Sequence, residues 1–207
     1  MRTSCLLALG LAVATGSAAC ASPKTSVTQT WSAEATPSEP IGSVLVFAAS
    51  MDETNRRSFE DAFASRLAQE GVSARRSYQL YPNGLPDRDA ARAAARRANV
   101  DAVLVVRSRG AEDAQGPVPG SYGGDFWGGY YGSPSGLAYT PGYATTTEIA
   151  KLELTLWDAR SDDEGRLVWS ATTRTSEASK GASLTKSVTE KVVPELSRQG
   201  FLPRRAQ

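Results

Sequence analysis

Histidine is absent from this 207-residue chain, and both cysteines, Cys5 and Cys20, fall within the first twenty residues. Without an imidazole the chain lacks the usual general base, the commonest metal ligand and any triad built on histidine. Without a cysteine beyond residue 20, the remainder can hold no disulfide, cysteine metal site or catalytic thiol. The composition therefore argues against many enzyme classes and indicates neither a metal site nor a cofactor.

A strong charge of one sign is also lacking, since the formal net charge is +1. A balanced chain implies no polyanionic partner, so we expect no binding of nucleic acid. The acidic run Asp162-Asp163-Glu164 does not have the spacing of a calcium loop. Carboxylate pairs or a serine can act without imidazole, which leaves a periplasmic hydrolase as the alternative to a non-catalytic protein. No such pair can be placed from the sequence.

The first nineteen residues have the three parts of a secretory signal peptide. Arg2 supplies the positive start, residues 6–14 form an apolar run, and small residues occupy positions 17–19. A run of this length is too short to span a bilayer, which takes about 20 residues. We therefore expect residues 1–19 to be removed after export.

The four residues Ser17-Ala18-Ala19-Cys20 resemble the lipobox of bacterial lipoproteins, although an aliphatic residue is usual where Ser17 stands. The resemblance implies that Cys20 becomes the acylated, palmitate-bearing N-terminus of an outer-membrane lipoprotein facing the periplasm, because Ala21 rather than Asp follows the cysteine. The alternative is ordinary cleavage after Ala19, which would release a soluble periplasmic protein. Residues 20–42, rich in Ser, Thr, Pro and Ala, are predicted to form a flexible tether with a reach of about 25 Å.

The folded domain is expected over residues 43–202. Residues 44–48 and 102–106 are apolar at both parities, which is typical of inner strands. A capping box at Ser50 and Glu53 predicts a helix whose apolar face carries Phe59, Phe63 and Leu67. Residues 73–81 alternate as an edge strand would.

Two more helices and a hairpin follow. Residues 87–98 form an alanine-rich helix, on which we interpret Arg88, Arg92 and Arg96 as a solvated face. Residues 149–157 and 167–171 alternate as a hairpin. A last helix covers residues 183–199, where Pro194 should kink or break it and Phe201 should fold back onto its apolar face.

The element order is therefore β-α-β-α-β, a long loop, β-β, α. It predicts a single α/β (α+β) domain with a mixed five-stranded sheet, strand order 2-1-3-4-5, and helices packed on at least one face.

The loop at residues 116–143 contains 9 glycines, 4 prolines and 7 of the chain's 16 aromatic residues. A connection this long is usually functional or disordered. Its rings could stack on sugars, enter a membrane interface or contact a protein partner. The competing interpretation is a low-complexity insert of no fixed role. The candidate contact residues are Tyr122, Phe126, Trp127, Tyr130 and Tyr131.

Several stretches together resemble a family of uncharacterised bacterial lipoproteins: the Gly/Tyr/Trp-rich loop, Thr145-Thr146-Thr147, residues 152–159 (LELTLWDA) and residues 167–170 (LVWS). The first half is similar to the α/β domains of outer-membrane lipoproteins that assist cell-wall synthases or curli secretion. This resemblance supplies no catalytic residues. It implies a non-catalytic envelope module, tethered to the membrane through Cys20, which binds an envelope protein or peptidoglycan.

Overall fold

The computed structural model of the protein describes residues 23–34, 37–49, 51–84, 88–118, 121–123, 138–140, 143–160, 165–176 and 181–203. Within these residues the chain forms one α/β domain with a six-stranded mixed sheet, a separate two-stranded sheet of β5 and β6, and four helices. The strands are β1 (Lys24–Ser32), β2 (Ser43–Ala49), β3 (Ser73–Arg76), β4 (Ala102–Val118), β5 (Ser121–Gly123), β6 (Ala138–Thr140), β7 (Tyr143–Asp158) and β8 (Arg166–Ser176). The helices are α1 (Glu53–Gln69), α2 (Ser77–Leu80), α3 (Arg88–Ala98) and α4 (Gly181–Arg198).

The sheet has a parallel half and an antiparallel half, and β4 belongs to both. Its strand order is β1-β8-β7-β4-β2-β3. β2 lies between β3 and β4 and is parallel to both, while β7 and β8 continue from β4 as antiparallel neighbours. The predicted order of the five expected strands is confirmed, and so is the position of β2 and β4 inside the sheet.

Helices α1 and α4 cover one face of the sheet. Phe59, Phe63 and Leu67 of α1 share a core with the inward residues of β2, β4, β7 and β8 and with one side of α4. The opposite face of the parallel half carries a smaller cluster, in which Ala94 and Ala98 of α3 pack with Leu45 and Phe47 of β2. Two helical layers on opposite faces follow from the crossovers that leave β2 on one side and return to β4 on the other.

The sheet has six strands rather than the predicted five, because β1 forms within the segment that we expected to be a flexible tether. β1 pairs antiparallel with β8 at the sheet edge, from Lys24 opposite Ser176 to Ser32 opposite Trp169. Ser187 of α4 also binds this strand, since its hydroxyl lies 2.7 Å from the Thr25 hydroxyl. An edge strand exposes most of its side chains, so its polar sequence showed no apolar alternation.

Three local predictions also change. Asp52 is the N-cap of α1, with its carboxylate accepting a hydrogen bond from the Asn55 amide, so the predicted capping box is wrong. β3 ends at Arg76, and the one-turn helix α2 occupies the rest of the predicted strand. A kink or a break was predicted at Pro194, and helix α4 continues through this residue without a break.

Helices α1 and α4 end in the same way. Gly71 and Gly200 each adopt a positive φ, at 80° and 84°. The amide of the following residue then reaches back to the helix, from Val72 to the Leu67 carbonyl and from Phe201 to the Leu196 carbonyl, each at 3.1 Å. This is the Schellman arrangement, which confirms that Phe201 folds back into the core, where it is 1% exposed.

Strands β4 and β7 extend past the ends of their neighbours β2 and β8. β8 pairs with β7 only from Ile149 onward, and β2 pairs with β4 only as far as Arg107. β4 and β7 nevertheless stay paired with each other to Val118 and Tyr143. A two-stranded arm, which we call the ribbon, therefore extends beyond the sheet from the Glu112–Ile149 pair.

Candidate functional site

The antiparallel half of the sheet has one face that none of the described helices covers. Residues paired across neighbouring strands lie on the same face, so the strand register identifies this surface. We call it the open face. Its members are Gln29 and Trp31 on β1, Arg107 on β4, Lys151, Glu153, Thr155 and Trp157 on β7, and Leu167, Ser170, Thr172 and Arg174 on β8.

One end of the open face is aromatic and weakly polar. Trp31 is 50% exposed and Trp157 is 36% exposed, which makes them two of the three large apolar side chains exposed in the described residues. Trp31 and Trp157 lie on strands that are two apart in the sheet and are offset by two residues along the strand direction. Their Cα atoms are therefore about 12 Å apart. Thr155 lies between them and accepts a hydrogen bond of 3.1 Å from the Trp157 indole. This end can therefore present two ring surfaces together with hydroxyl groups.

The other end of the open face carries a network of ion pairs. Glu112 pairs with both Lys151 and Arg174, and Arg109 lies 2.6 Å from Glu153. The hydrogen bond from Lys151 and the nearby charge of Arg174 hold the pKa of Glu112 below its usual range. Both carboxylates are thus already paired with cations.

A buried polar cluster lies under the carboxyl ends of β2 and β3, and the sequence analysis missed it. Arg56 is 2% exposed, and both Glu60 and Ser77 are 0% exposed. Glu60 Oε1 accepts hydrogen bonds from Arg56 Nε at 3.3 Å and from the Ser77 hydroxyl at 2.6 Å. The backbone amides of Ala48 and Tyr78 donate to the same carboxylate at 3.1 Å and 2.9 Å.

Arg56 has further partners in this cluster. Its Nη2 donates to the Ser77 hydroxyl at 3.1 Å and to the Tyr81 carbonyl at 3.0 Å, and its Nη1 donates to Glu53 at 3.2 Å. Every group of the cluster is satisfied by α1, β2 or the β3–α2 corner. A buried carboxylate with four donors is committed to holding these elements together, which leaves it no capacity to act on a substrate.

A partly exposed rim surrounds the cluster. The pKa of Tyr78 is raised by burial and by its hydrogen bond to Asp61, and the Arg57 guanidinium lies 5.4 Å from the centre of the Tyr78 ring. Asp61 also pairs with Arg76 at 2.5 Å. The hydrogen bond from Arg57 lowers the pKa of Glu53. The acidic side chains of this rim are therefore ion-paired, as they are on the open face.

A second polar group closes the opposite end of the sheet. Asp101 accepts hydrogen bonds from the amides of Gly42 and Ser43 at 2.8 Å and 2.9 Å. Burial alone would raise the pKa of Asp158, but the side-chain and backbone hydrogen bonds from Arg160 outweigh it and lower that pKa. These contacts fix the entry to β2 and the turn after β7.

Most residues predicted as contacts cannot be placed. Cys20, Phe126, Trp127, Tyr130 and Tyr131 lie outside the described residues. Tyr122 is in β5, where its backbone position is opposite Tyr139 of β6. The acidic run 162–164 also lies outside the described residues, and the predicted arginine face of α3 is described only at Arg96, which is exposed.

Two properties of the described residues bear on cofactors and membranes. They contain no group of three or more histidine, cysteine, aspartate or glutamate side chains arranged to hold a metal ion. Across the same residues, no helix has the length and apolar character needed to cross a bilayer.

No protein-family profile and no curated protein matches the chain. Solved structures that align with it include a PelC dodecamer from Paraburkholderia phytofirmans, at 19% identity over 88% of this chain and 99% of that chain, with a TM-score of 0.48. Lipoprotein GNA1162 from Neisseria meningitidis aligns at 15% identity over 76% of this chain and 99% of its own, with a TM-score of 0.41. A DUF4136 family protein from Bacteroides thetaiotaomicron aligns at 10% identity over 88% and 99%, with a TM-score of 0.40.

Proposed function

We propose that this chain is a non-catalytic module of the bacterial cell envelope, anchored through a lipid on Cys20, which binds an envelope protein through the open face. The observation that carries the proposal is the uncovered sheet surface with Trp31 and Trp157 at one end. Tryptophan is the residue type most enriched at energetically important contacts, because it supplies a large apolar area together with one hydrogen-bond donor. The aromatic residues of 116–143 remain a predicted second contact element.

The chemistry of the described carboxylates supports a binding role over hydrolysis. Hydrolysis by carboxylates needs one group to accept a proton and one to donate it, usually in a shared cleft. Here Glu60 is buried and fully hydrogen-bonded, while Glu112 and Glu153 are matched by cations on the open face. The lowered pKa values of Glu53, Glu112 and Asp158 keep these groups ionised, whereas a general acid requires a raised one.

The proposal is tested by photo-crosslinking in the native host. A benzophenone amino acid in place of Thr155, between the two tryptophans, should give a discrete protein adduct identifiable by mass spectrometry. The same probe at Ala68, which is exposed near the end of α1, is the matched control and should not give it. An adduct with peptidoglycan fragments instead of protein would replace the partner proposed here, and the absence of any adduct specific to Thr155 would contradict binding at the open face.

Substitution of the tryptophans gives the complementary test. W31A/W157A should abolish the Thr155 adduct, whereas Leu80→Ala, at the other exposed apolar side chain, should leave it unchanged. Because both rings are well exposed, the free energy of unfolding should fall by less than the about 3–5 kcal/mol typical of a buried aromatic truncation. A retained adduct in W31A/W157A would contradict the role given to these rings.

A further inference from the structure

The end of the sheet at which β1 begins also carries the ribbon. Lys24, the first residue of β1, is opposite Ser176 of β8, which is opposite Ile149 of β7, which is opposite Glu112 of β4. These four residues form one row across the sheet. Pro23, which precedes Lys24, therefore lies on the same side of this row as the ribbon.

The distance from Cys20 to this row is limited by the covalent chain. Cys20 is four positions before Lys24, a stretch that spans at most about 14 Å when fully extended. The ribbon continues for six residues past the same row, from Glu112 to Val118 and from Ile149 back to Tyr143. At about 3.3 Å per residue it extends about 20 Å. The far end of the ribbon therefore extends farther from the sheet than Cys20 can.

The distribution of charge along the ribbon changes at the same row. Glu112 and Lys24 lie in the row, and the acidic residues Asp113 and Glu148 lie next to it. From residue 114 to residue 147 the sequence contains a single charged residue, Asp125, although charged residues make up 22% of the chain. Tyrosine and tryptophan, which this stretch contains, are enriched at the membrane–water interface.

We propose that the far end of the ribbon, at Val118 and Tyr143, contacts the headgroup layer of the bilayer in which Cys20 is anchored. This inference rests on the lipid anchor of the proposed function and adds the orientation of the domain. Each headgroup layer is about 5–8 Å thick, which matches the difference of about 6 Å between the ribbon's length and the reach of Cys20. Within the described residues neither outer edge of the ribbon pairs with a further strand, so this end lies among hydrated headgroups rather than in the hydrocarbon core.

The contact can be measured with an environment-sensitive fluorophore on a single introduced cysteine. In the mature lipidated protein the sulfur of Cys20 is bonded to the lipid, so Ala144→Cys next to Tyr143 provides the only free thiol. Val118→Cys on the facing strand is a second site in case the first label disturbs the ribbon. Ala68→Cys, near the end of α1 and on the opposite side of the molecule, is the matched control. Each labelled protein is reconstituted into vesicles of phosphatidylethanolamine and phosphatidylglycerol and recovered by flotation.

We expect labels at residues 144 and 118 to show blue-shifted emission and a several-fold rise in intensity on reconstitution. Spin-labelled headgroups should quench them more strongly than lipids spin-labelled deep in the acyl chain, and the label at residue 68 should respond to neither. Protein that floats while the ribbon labels stay in a water-like environment would overturn the orientation alone. Protein that does not float would refute the lipid anchor itself, and the orientation would fall with it.

Discussion

The buried pair formed by Arg56 and Glu60 should dominate the stability of the parallel half of the sheet. Removing one member of a buried ion pair typically costs about 3–5 kcal/mol, because the remaining charge has lost its counter-ion away from water. We therefore expect Glu60→Gln, which keeps the shape and an acceptor oxygen for one of the two backbone amides, to lower the free energy of unfolding by about this amount. Domains of this kind are stable by about 5–15 kcal/mol in total, so the variant should still fold but with a much lower urea midpoint.

The double variant R56M/E60Q provides the decisive comparison. Once both charges are absent, no unpaired ion remains, so its loss should be smaller than the sum of the two single losses by about 2 kcal/mol. Arg57→Met is the matched control, since Arg57 is the next residue, pairs with Glu53 at 2.6 Å and is about half exposed. It should cost less than about 1 kcal/mol.

Five proteins can be compared by urea unfolding of the unlipidated Cys20→Ser form, followed by circular dichroism: wild type, Arg56→Met, Glu60→Gln, R56M/E60Q and Arg57→Met. A change in midpoint with an unchanged slope would show that stability alone has altered. Single losses that add within about 0.5 kcal/mol in the double variant would refute the claim that the two charges are coupled. If Arg57→Met lowered the free energy of unfolding as much as Arg56→Met, the claim that burial makes the Arg56–Glu60 pair important for stability would also be refuted.

Two further predictions address the edge strand and the response to pH. If β1 is part of the sheet, Val27→Asp, which faces the core, should lower the free energy of unfolding by about 1–3 kcal/mol, whereas Ser26→Asp on the exposed side should change it little. Equal effects of the two variants on the free energy of unfolding would instead favour the flexible tether predicted from the sequence. The pKa of Asp158 is lowered from 3.8, so the folded state binds this proton less tightly than the unfolded state does. Its stabilisation is therefore present above pH 3.8 and is lost as the pH falls through the folded-state value, so wild type and Asp158→Asn should differ most at pH 7 and converge in acid. A difference between the two urea midpoints that persists unchanged below pH 3 would contradict this.

Local periodicity was sufficient to predict those parts of the fold that are determined locally. The apolar run at 102–106 and the alternation of Leu152, Leu154 and Leu156 gave the inner strand and the hairpin correctly, because burial on two faces or one face leaves a direct pattern. β1 was missed because its pairing with β8 joins residues about 150 positions apart, and nothing in a polar edge strand records its partner.

The buried cluster was missed for a different reason, although a signal was present. Arg56 and Glu60 lie on the same helical face as Phe59, Phe63 and Leu67, at spacings of three and four residues. Charged residues inside an apolar stripe are normally assigned to its solvated border. Their burial is stable only because Ser77 and two backbone amides, contributed by β2 and the β3–α2 corner, hydrogen-bond to Glu60. Those groups are distant from α1 in sequence, so the helix pattern alone does not reveal them.

The pairing of β1 with β8 also determines how the domain would respond to mechanical tension. The chain enters β1 at Lys24 along the strand direction, so a pull between a lipid on Cys20 and a partner bound to the domain acts parallel to the strand. In that geometry the register pairs, eight from Lys24–Ser176 to Ser32–Trp169, share the force and resist together. A pull at right angles would instead break them one after another. An anchored β1 therefore works as a shear joint, and its rupture would lengthen the tether while leaving the five remaining strands assembled.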